Sequence, residues 1–282
     1  MPGAPFLDRM AAASRRRVAA ARAREAEGAL LARASVTEDP PVLTLDRFDV
    51  IAELKLRSPA MGTLAQAGFD LDGQVAAYGA GGAAAVSVLT EPDEFKGSLE
   101  HLEQAAALLR PHQIPVMRKD FLTDPYQVLE ARAAGAGGVL VIAAMLTDAE
   151  MEALVDCARD CGLFVLLEAF DETDLERIGE LAAIKPENTD SPLLAGVNSR
   201  NLRTLAVDFA RFAALAPYLP NGLPAVAESG IETAAQLREV AELGYTLALV
   251  GSALMRAGST VERLGNFVAT GREHVRGATP CS

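Results

Sequence analysis

Cysteine, histidine and positive charge are all scarce in this chain, and each shortage excludes a class of chemistry. The sequence of 282 residues holds three cysteines. Cys157 and Cys161 fall four apart in a helical segment and Cys281 lies near the terminus, with no further Cys or His beside them. That pattern makes no zinc site, and free thiols suit a reducing cytosol. His101, His112 and His274 fall outside every strand end, so neither a metal site nor a Ser-His triad is supported, and no metal or cofactor is expected. Lys and Arg number 26 against 38 Asp and Glu, a net charge of -12. This argues against nucleic acid or an anionic membrane as partner. No apolar run is long enough for a signal-peptide core or a membrane span, so the chain is expected to be cytoplasmic. A glycine-rich G-x-G-x-x-G turn is missing too: the first strand is followed by "KLRSPAMG".

What is present is a regular alternation. Short apolar runs predict strands near Val50–Lys55, Ala84–Leu89, Pro115–Lys119, Val139–Ile142, Leu163–Glu168, Leu194–Asn198, Pro224–Glu228 and Thr246–Val250. Helical periodicity lies between them, as in Leu99–Leu109, Asp148–Cys161 and Thr233–Leu243. Strand-then-helix units pair in parallel through right-handed crossovers, and eight of them close into a (β/α)8 TIM barrel of the α/β class. An open doubly wound sheet is the alternative, but it would carry the missing glycine turn. A chain half hydrophobic in composition suffices for one barrel core.

A barrel builds its active site at the carboxyl ends of its strands. Lys119 ends the third strand, and Asp120 and Phe121 follow it. Next comes a helix start in which Asp124 caps and Pro125 fits the first turn. Glu53 and Lys55 end the first strand, Glu168 the fifth, Asn198, Ser199 and Arg200 the sixth, and Glu228 the seventh. With period two, Glu53 and Lys55 share the face of Ile51, which points into the barrel. Buried charges must be paired. Glu53, Glu168 and Glu228 against Lys55, Lys119 and Arg200 balance without a metal. One such residue alone reads as a rim salt bridge; six on neighbouring strand ends read as a site.

The last two loops point to the ligand. "AESGI" and "VGSAL" place Ser229, Gly230, Gly251 and Ser252 after strands seven and eight. Glycine permits close backbone approach, and a short helix beginning at Ser252 aims free N–H groups at an anion. This is where barrels bind phosphate, so a phosphorylated small-molecule substrate is expected.

The segments "IAELKLRSP", "SVLTEPDEFKGSLEHL", "PVMRKDFLTDPYQVLEARAAGA", "GVNSRNL", "AESGI" and "LVGSALMR" together resemble indole-3-glycerol phosphate synthase across residues 46–255. The resemblance implies a carboxy-lyase of tryptophan biosynthesis that converts 1-(2-carboxyphenylamino)-1-deoxyribulose 5-phosphate to indole-3-glycerol phosphate, carbon dioxide and water. By it Lys119 matches the general acid and Glu168 the partner carboxylate, while Glu53 and Lys55 form a second acid–base pair. Asn198 and Arg200 match residues that hold the phosphate side and the ribulose hydroxyls. Glu228 matches a polar anchor in the anthranilate pocket, and Ser229, Gly230, Gly251 and Ser252 match the phosphate cradle. Arg57 and Ser58 lie in a first loop expected to be mobile, and Phe95 and Phe121 read as walls for the aromatic ring or as ordinary core. The family also carries an extra N-terminal helix beside the active-site mouth. Residues 1–34 hold seven arginines and three acids, which an organellar leader would share only in part. The reading is therefore an extension over residues 1–45 packed on a barrel over 46–282, acting as a monomer or weak homo-oligomer.

Three features depart from the family pattern. The first loop reads "SPAMG" where "SPSKG" is usual, so Ala60 and Met61 replace a hydroxyl and a cation. Phe170 stands for a histidine after strand five and is read as lying behind the site. Leu181–Leu193 is longer than usual and is expected to be a surface loop on the bottom face. These departures keep open a related lyase or isomerase acting on a modified anthranilate-type sugar phosphate. A barrel that binds a phosphorylated ligand without turnover is the other alternative.

Overall fold

Each apolar run becomes one stave of a closed barrel. The computed structural model describes residues 6–45, 47–58, 62–64, 68–185, 190–200 and 206–277, with side chains to 273. The staves are β1 (Asp49–Leu54), β2 (Ala85–Leu89), β3 (Val116–Lys119), β4 (Gly138–Ile142), β5 (Phe164–Ala169), β6 (Leu193–Asn198), β7 (Ala225–Glu228) and β8 (Leu247–Val250). All neighbours run parallel, and β1 pairs with both β2 and β8 to close the ring. Closure removes the open-sheet alternative. The expected strand bounds hold to within a residue.

Alternation along the strands divides the core in two. Ile51, Met117, Leu140, Phe164, Leu166, Leu194, Val226 and Leu249 fill the barrel interior. Their neighbours, such as Val50, Val86, Val139, Val165 and Ala248, face the helix layer. That layer consists of α3 (Leu71–Ala80), α4 (Leu99–Leu109), α5 (Pro125–Ala133), α6 (Asp148–Asp160), α7 (Glu172–Ile184), α8 (Arg211–Leu215), α9 (Ala234–Glu242), the short α10 (Ser252–Met255) and α11 (Thr260–Gly277). Their starts are written in the sequence. Ser98, Asp124 and Asp171 accept backbone N–H groups from the first turns of α4, α5 and α7. Thr147 with Glu150 and Thr233 with Gln236 form capping boxes on α6 and α9.

The N-terminal extension contains two helices, where one was expected: α1 (Phe6–Arg24) and α2 (Glu27–Val36). Val18, Ala21 and Leu30 pack on Tyr126 and Leu129 of α5, and the Tyr126 hydroxyl donates to the Glu25 carbonyl at 2.9 Å. The loop after β1 carries a short antiparallel hairpin, Arg57–Ser58 with Gly62–Thr63, that no strand pattern announced. Ala60 and Met61 lie outside the described residues, as do 186–189 of the long connection, Cys281 and the His274 side chain. The expected surface loop Leu181–Leu193 is shorter than read: residues 181–184 form the last turn of α7, Leu193 begins β6, and Leu181, Ser191 and Leu193 are buried, while the connection enters β6 at its amino end, opposite Lys119. Among the described residues no helix is long and apolar enough to cross a membrane, and no group of three His, Cys, Asp or Glu is arranged to hold a metal ion.

Candidate active site

The carboxyl ends of β1, β3, β5 and β7, with Lys55 just beyond β1, bring five of the six expected charges into contact. Lys119 Nζ donates to Glu228 Oε2 at 2.8 Å and lies 3.6 Å from Glu168 Oε2 and 3.8 Å from Glu53 Oε1. Lys55 Nζ bonds Glu53 Oε2. Asn198 Nδ2 donates to Glu168 Oε2 at 3.1 Å, and its own Oδ1 accepts the Arg200 N–H at 2.9 Å. All three carboxylates are buried, while the two lysines keep a small exposed fraction toward the cavity.

Small residues make room for these groups. A Cβ on Gly196 would stand 2.2 Å from Glu228 Oε1, and one on Gly251 would stand 2.2 Å from Glu53 Oε2. Gly251 was expected to serve the phosphate. Its missing side chain also leaves room for Glu53.

The electrostatics follow from crowding. Burial disfavours charge on Lys119, but Glu228, Glu168 and Glu53 outweigh it and hold the ammonium above the usual lysine range. Burial likewise raises Glu53, yet Lys55 and then Lys119 overcome this and keep its carboxyl below the usual range. With Lys55 paired to Glu53, Lys119 is the ammonium that Glu168 and Glu228 must share. Burial first, and then the charge of Glu228, push Glu168 up to about 8, so it holds a proton at neutral pH. Burial lowers the Arg200 guanidinium against the pull of Glu53 and Glu168. The site thus offers an ammonium and a neutral carboxylic acid side by side, two proton donors in one cleft.

The cleft is lined by Glu53, Lys55, Ser58, Phe95, Lys119, Phe121, Glu168, Asn198, Arg200 and Ser229 among the expected residues. Phe95 and Phe121 have ring centroids 6.2 Å apart. Both border the cavity and both also pack with the barrel-interior cluster. Arg57 does not line the cleft; its guanidinium reaches the Asp93 carbonyl in the next loop at 3.5 Å. Glu228 lies beneath Lys119, fully buried. Ser229 and Gly230 both adopt left-handed backbone, φ 69° and 79°. A non-glycine residue rarely does so, and the Ser199 hydroxyl holds this turn by donating to the Ser229 carbonyl at 3.0 Å. Gly251 and Ser252 open α10, behind β8.

Phe170 lines the cleft directly rather than standing behind it, at a position just past β5 where Asp174 accepts its N–H at 2.9 Å. Phe6 and Leu7 of α1, Leu89, and Leu140 and Ile142 of β4 also line the cleft and were not anticipated. β4 has no polar end residue, so a search for charges passes it over. The alternation of "GVLVI" was the available signal.

Fold and site together define a (β/α)8 barrel whose cleft, at the carboxyl ends of the strands, gathers acid and base groups beside two phenylalanine rings. Residues 7–266 match the family model of indole-3-glycerol phosphate synthase. The chain is 42% identical over 230 residues to the indole-3-glycerol phosphate synthase of Parafrankia sp. (strain EAN1pec), spanning 82% of this chain and 81% of that protein. It is 44% identical over 220 residues to that of Micrococcus luteus, spanning 78% and 77%. The chain belongs to the indole-3-glycerol phosphate synthase family, and with it to the carboxy-lyases of tryptophan biosynthesis. Among solved structures, 3-hexulose-6-phosphate synthase from Salmonella typhimurium matches with TM-score 0.59 at 14% identity, over 80% of this chain and 99% of that one. Thiamine phosphate pyrophosphorylase from Pyrococcus furiosus matches with TM-score 0.58 at 16% identity, over 81% and 97%. These two share the barrel.

Proposed function

We propose that this chain closes, decarboxylates and dehydrates 1-(2-carboxyphenylamino)-1-deoxyribulose 5-phosphate to indole-3-glycerol phosphate through Lys119. The observation that carries the proposal is Lys119 Nζ held among Glu228, Glu168 and Glu53 at the cleft floor. The arene carbon bearing the carboxylate attacks the ketone carbon, and Lys119 protonates the oxyanion that forms. Carbon dioxide then leaves, and its bonding electrons restore the aromatic ring. The same oxygen needs a second proton to depart as water, and Glu168 carries one at neutral pH. A carbon-bound proton of the new five-membered ring is removed in the same stage, for which the ionised Glu53, paired with Lys55, is the suited base.

The binding roles are proposals of the same kind. Phe95 and Phe121 face the carboxyphenyl ring, Ser58 and Lys55 its carboxylate, and Asn198 and Arg200 the ribulose hydroxyls. Ser229, Gly230, Gly251 and Ser252 hold the phosphate. Glu228 acts by orienting Lys119. We place residues 1–45 as an extension on a barrel of 46–282, in a cytoplasmic monomer or weak homo-oligomer.

A fluorescence assay for indole-3-glycerol phosphate tests the reaction. The wild type should turn over, and Lys119→Met should lose about 10²–10⁴-fold in kcat, the usual contribution of a general acid. A folded wild type that bound the substrate without forming indole-3-glycerol phosphate would move the function to a modified substrate or a non-catalytic barrel.

A further inference from the structure

The groups beside Lys119 form a second buried network that none of the steps above uses. Glu91, fully buried after β2, accepts the backbone N–H groups of Asp93, Glu94 and Phe95 at 3.1, 2.7 and 3.1 Å. It therefore folds the loop that presents the Phe95 ring. Asp120, also buried, accepts the Phe121 N–H at 2.8 Å through Oδ1. Its Oδ2 accepts Thr90 Oγ1 at 2.9 Å and Arg118 Nη2 at 3.3 Å. Each carboxylate thus fixes one ring of the aromatic wall.

Two buried carboxylates at neighbouring strand tops need positive charge. Arg118 is shared with Glu130 at 3.0 Å. A second cation comes from α1: Arg17 Nη2 lies 2.6 Å from Asp120 Oδ1, and Nη1 lies 3.4 Å from Glu91 Oε1. One planar guanidinium spans both acids, a geometry that the single ammonium of a lysine does not reproduce. Two neighbouring cations of α1 differ: Arg15 pairs with Glu150, and Arg22 with Glu27 and the half-buried Asp124, rather than with Glu91 or Asp120.

We infer that Arg17 is a positioning residue of the active site: through Glu91 and Asp120 it sets the spacing of the Phe95 and Phe121 rings that receive the substrate's carboxyphenyl group. The identity of that group rests on the function proposed above, whereas the clamp on the two loops does not. The wall meets the aromatic ring before and during reaction alike, so its displacement weakens binding more than turnover. Arg17→Met is expected to raise KM about tenfold and to leave kcat within about twofold, the split left by lost uniform binding. The same change in a Phe121→Leu background has a smaller effect, because both disturb one wall.

Arg22→Met is the control, since it loosens α1 while touching neither carboxylate, and it leaves KM unchanged. Native-state amide exchange reads the clamp without turnover. The amides of Asp93, Glu94, Phe95 and Phe121 exchange faster in Arg17→Met and keep their rates in Arg22→Met. Should Arg17→Met fail to fold, Arg17→Lys, which keeps the charge and loses the fork, carries both readouts. Unchanged KM and unchanged exchange, or equal effects from Arg22→Met, overturn the inference. An inactive wild type would instead sink the substrate assignment, and the exchange rates would still judge Arg17.

Discussion

At Glu168 a single proton decides what the site can do. Its carboxyl sits 3.6 Å from Lys119 and is pushed up to about 8 by burial and by Glu228, so the neutral acid dominates below that pH. If it supplies the proton on which water leaves, kcat/KM is flat below about 8 and falls about tenfold per unit above it, the behaviour of a required acid. Glu168→Gln should lose that limb together with most of the activity. A profile that rose through pH 8 would make Glu168 the base instead. Much of this site was legible in the sequence, because charged residues at strand ends have few structural uses. The proton on Glu168 was not. It depends on how many carboxylates share one lysine, which only the distances from Lys119 to Glu53, Glu168 and Glu228 reveal. Phe6 and Leu7 were hidden for another reason: nothing local in α1 says which strand ends it will cover.

Strands position these groups through what they omit as well as through what they carry. Gly196 faces inward on β6, paired in register with Glu168 of β5 and with Val226 of β7. Its missing Cβ is the space into which Glu228 Oε1 fits, with Leu166 Cδ1 also within 3.0 Å. Gly196→Ala therefore has to displace the Glu228 carboxylate and with it the partner of Lys119. The expected result is a folded protein whose kcat falls at least about tenfold, roughly 1.4 kcal/mol in the barrier, with KM changed less. Unaltered kinetics would show that Lys119 does not depend on Glu228 for its aim. The eight strands and the alternation of helices could be read from apolar runs because hydrophobic period and capping residues are local signals. The hairpin Arg57–Ser58 with Gly62–Thr63 could not, since two-residue strands have no period. The split of the extension into α1 and α2 turns on the packing of Leu30 against α5, a contact between distant segments.

For the molecule as a whole, the site is a cost that the rest of the barrel must offset. The apolar interior of Ile51, Leu166, Leu194 and Val226 lies directly below a layer of charge, and the three acids there lose their water on folding. Glu168 gives that cost a pH dependence whose sign can be worked out. In the unfolded chain its carboxyl titrates near 4.5, and in the folded protein near 8. Between those values the native state holds a proton that the unfolded state has released, so raising the pH favours unfolding. The stabilisation is complete below about 4.5 and gone above about 8, falling on the order of 1.4 kcal/mol per pH unit between them. Glu53 is shifted the other way, so its own window lies below the ordinary carboxylate range and does not overlap this one. Glu168→Gln removes the titration while preserving the shape of the group. In urea unfolding between pH 5.5 and 8, the variant's stability relative to the wild type should therefore rise steadily with pH. A gap that stayed constant would mean that Glu168 is ionised in the native state, and the second proton of the reaction would then have to come from a lysine.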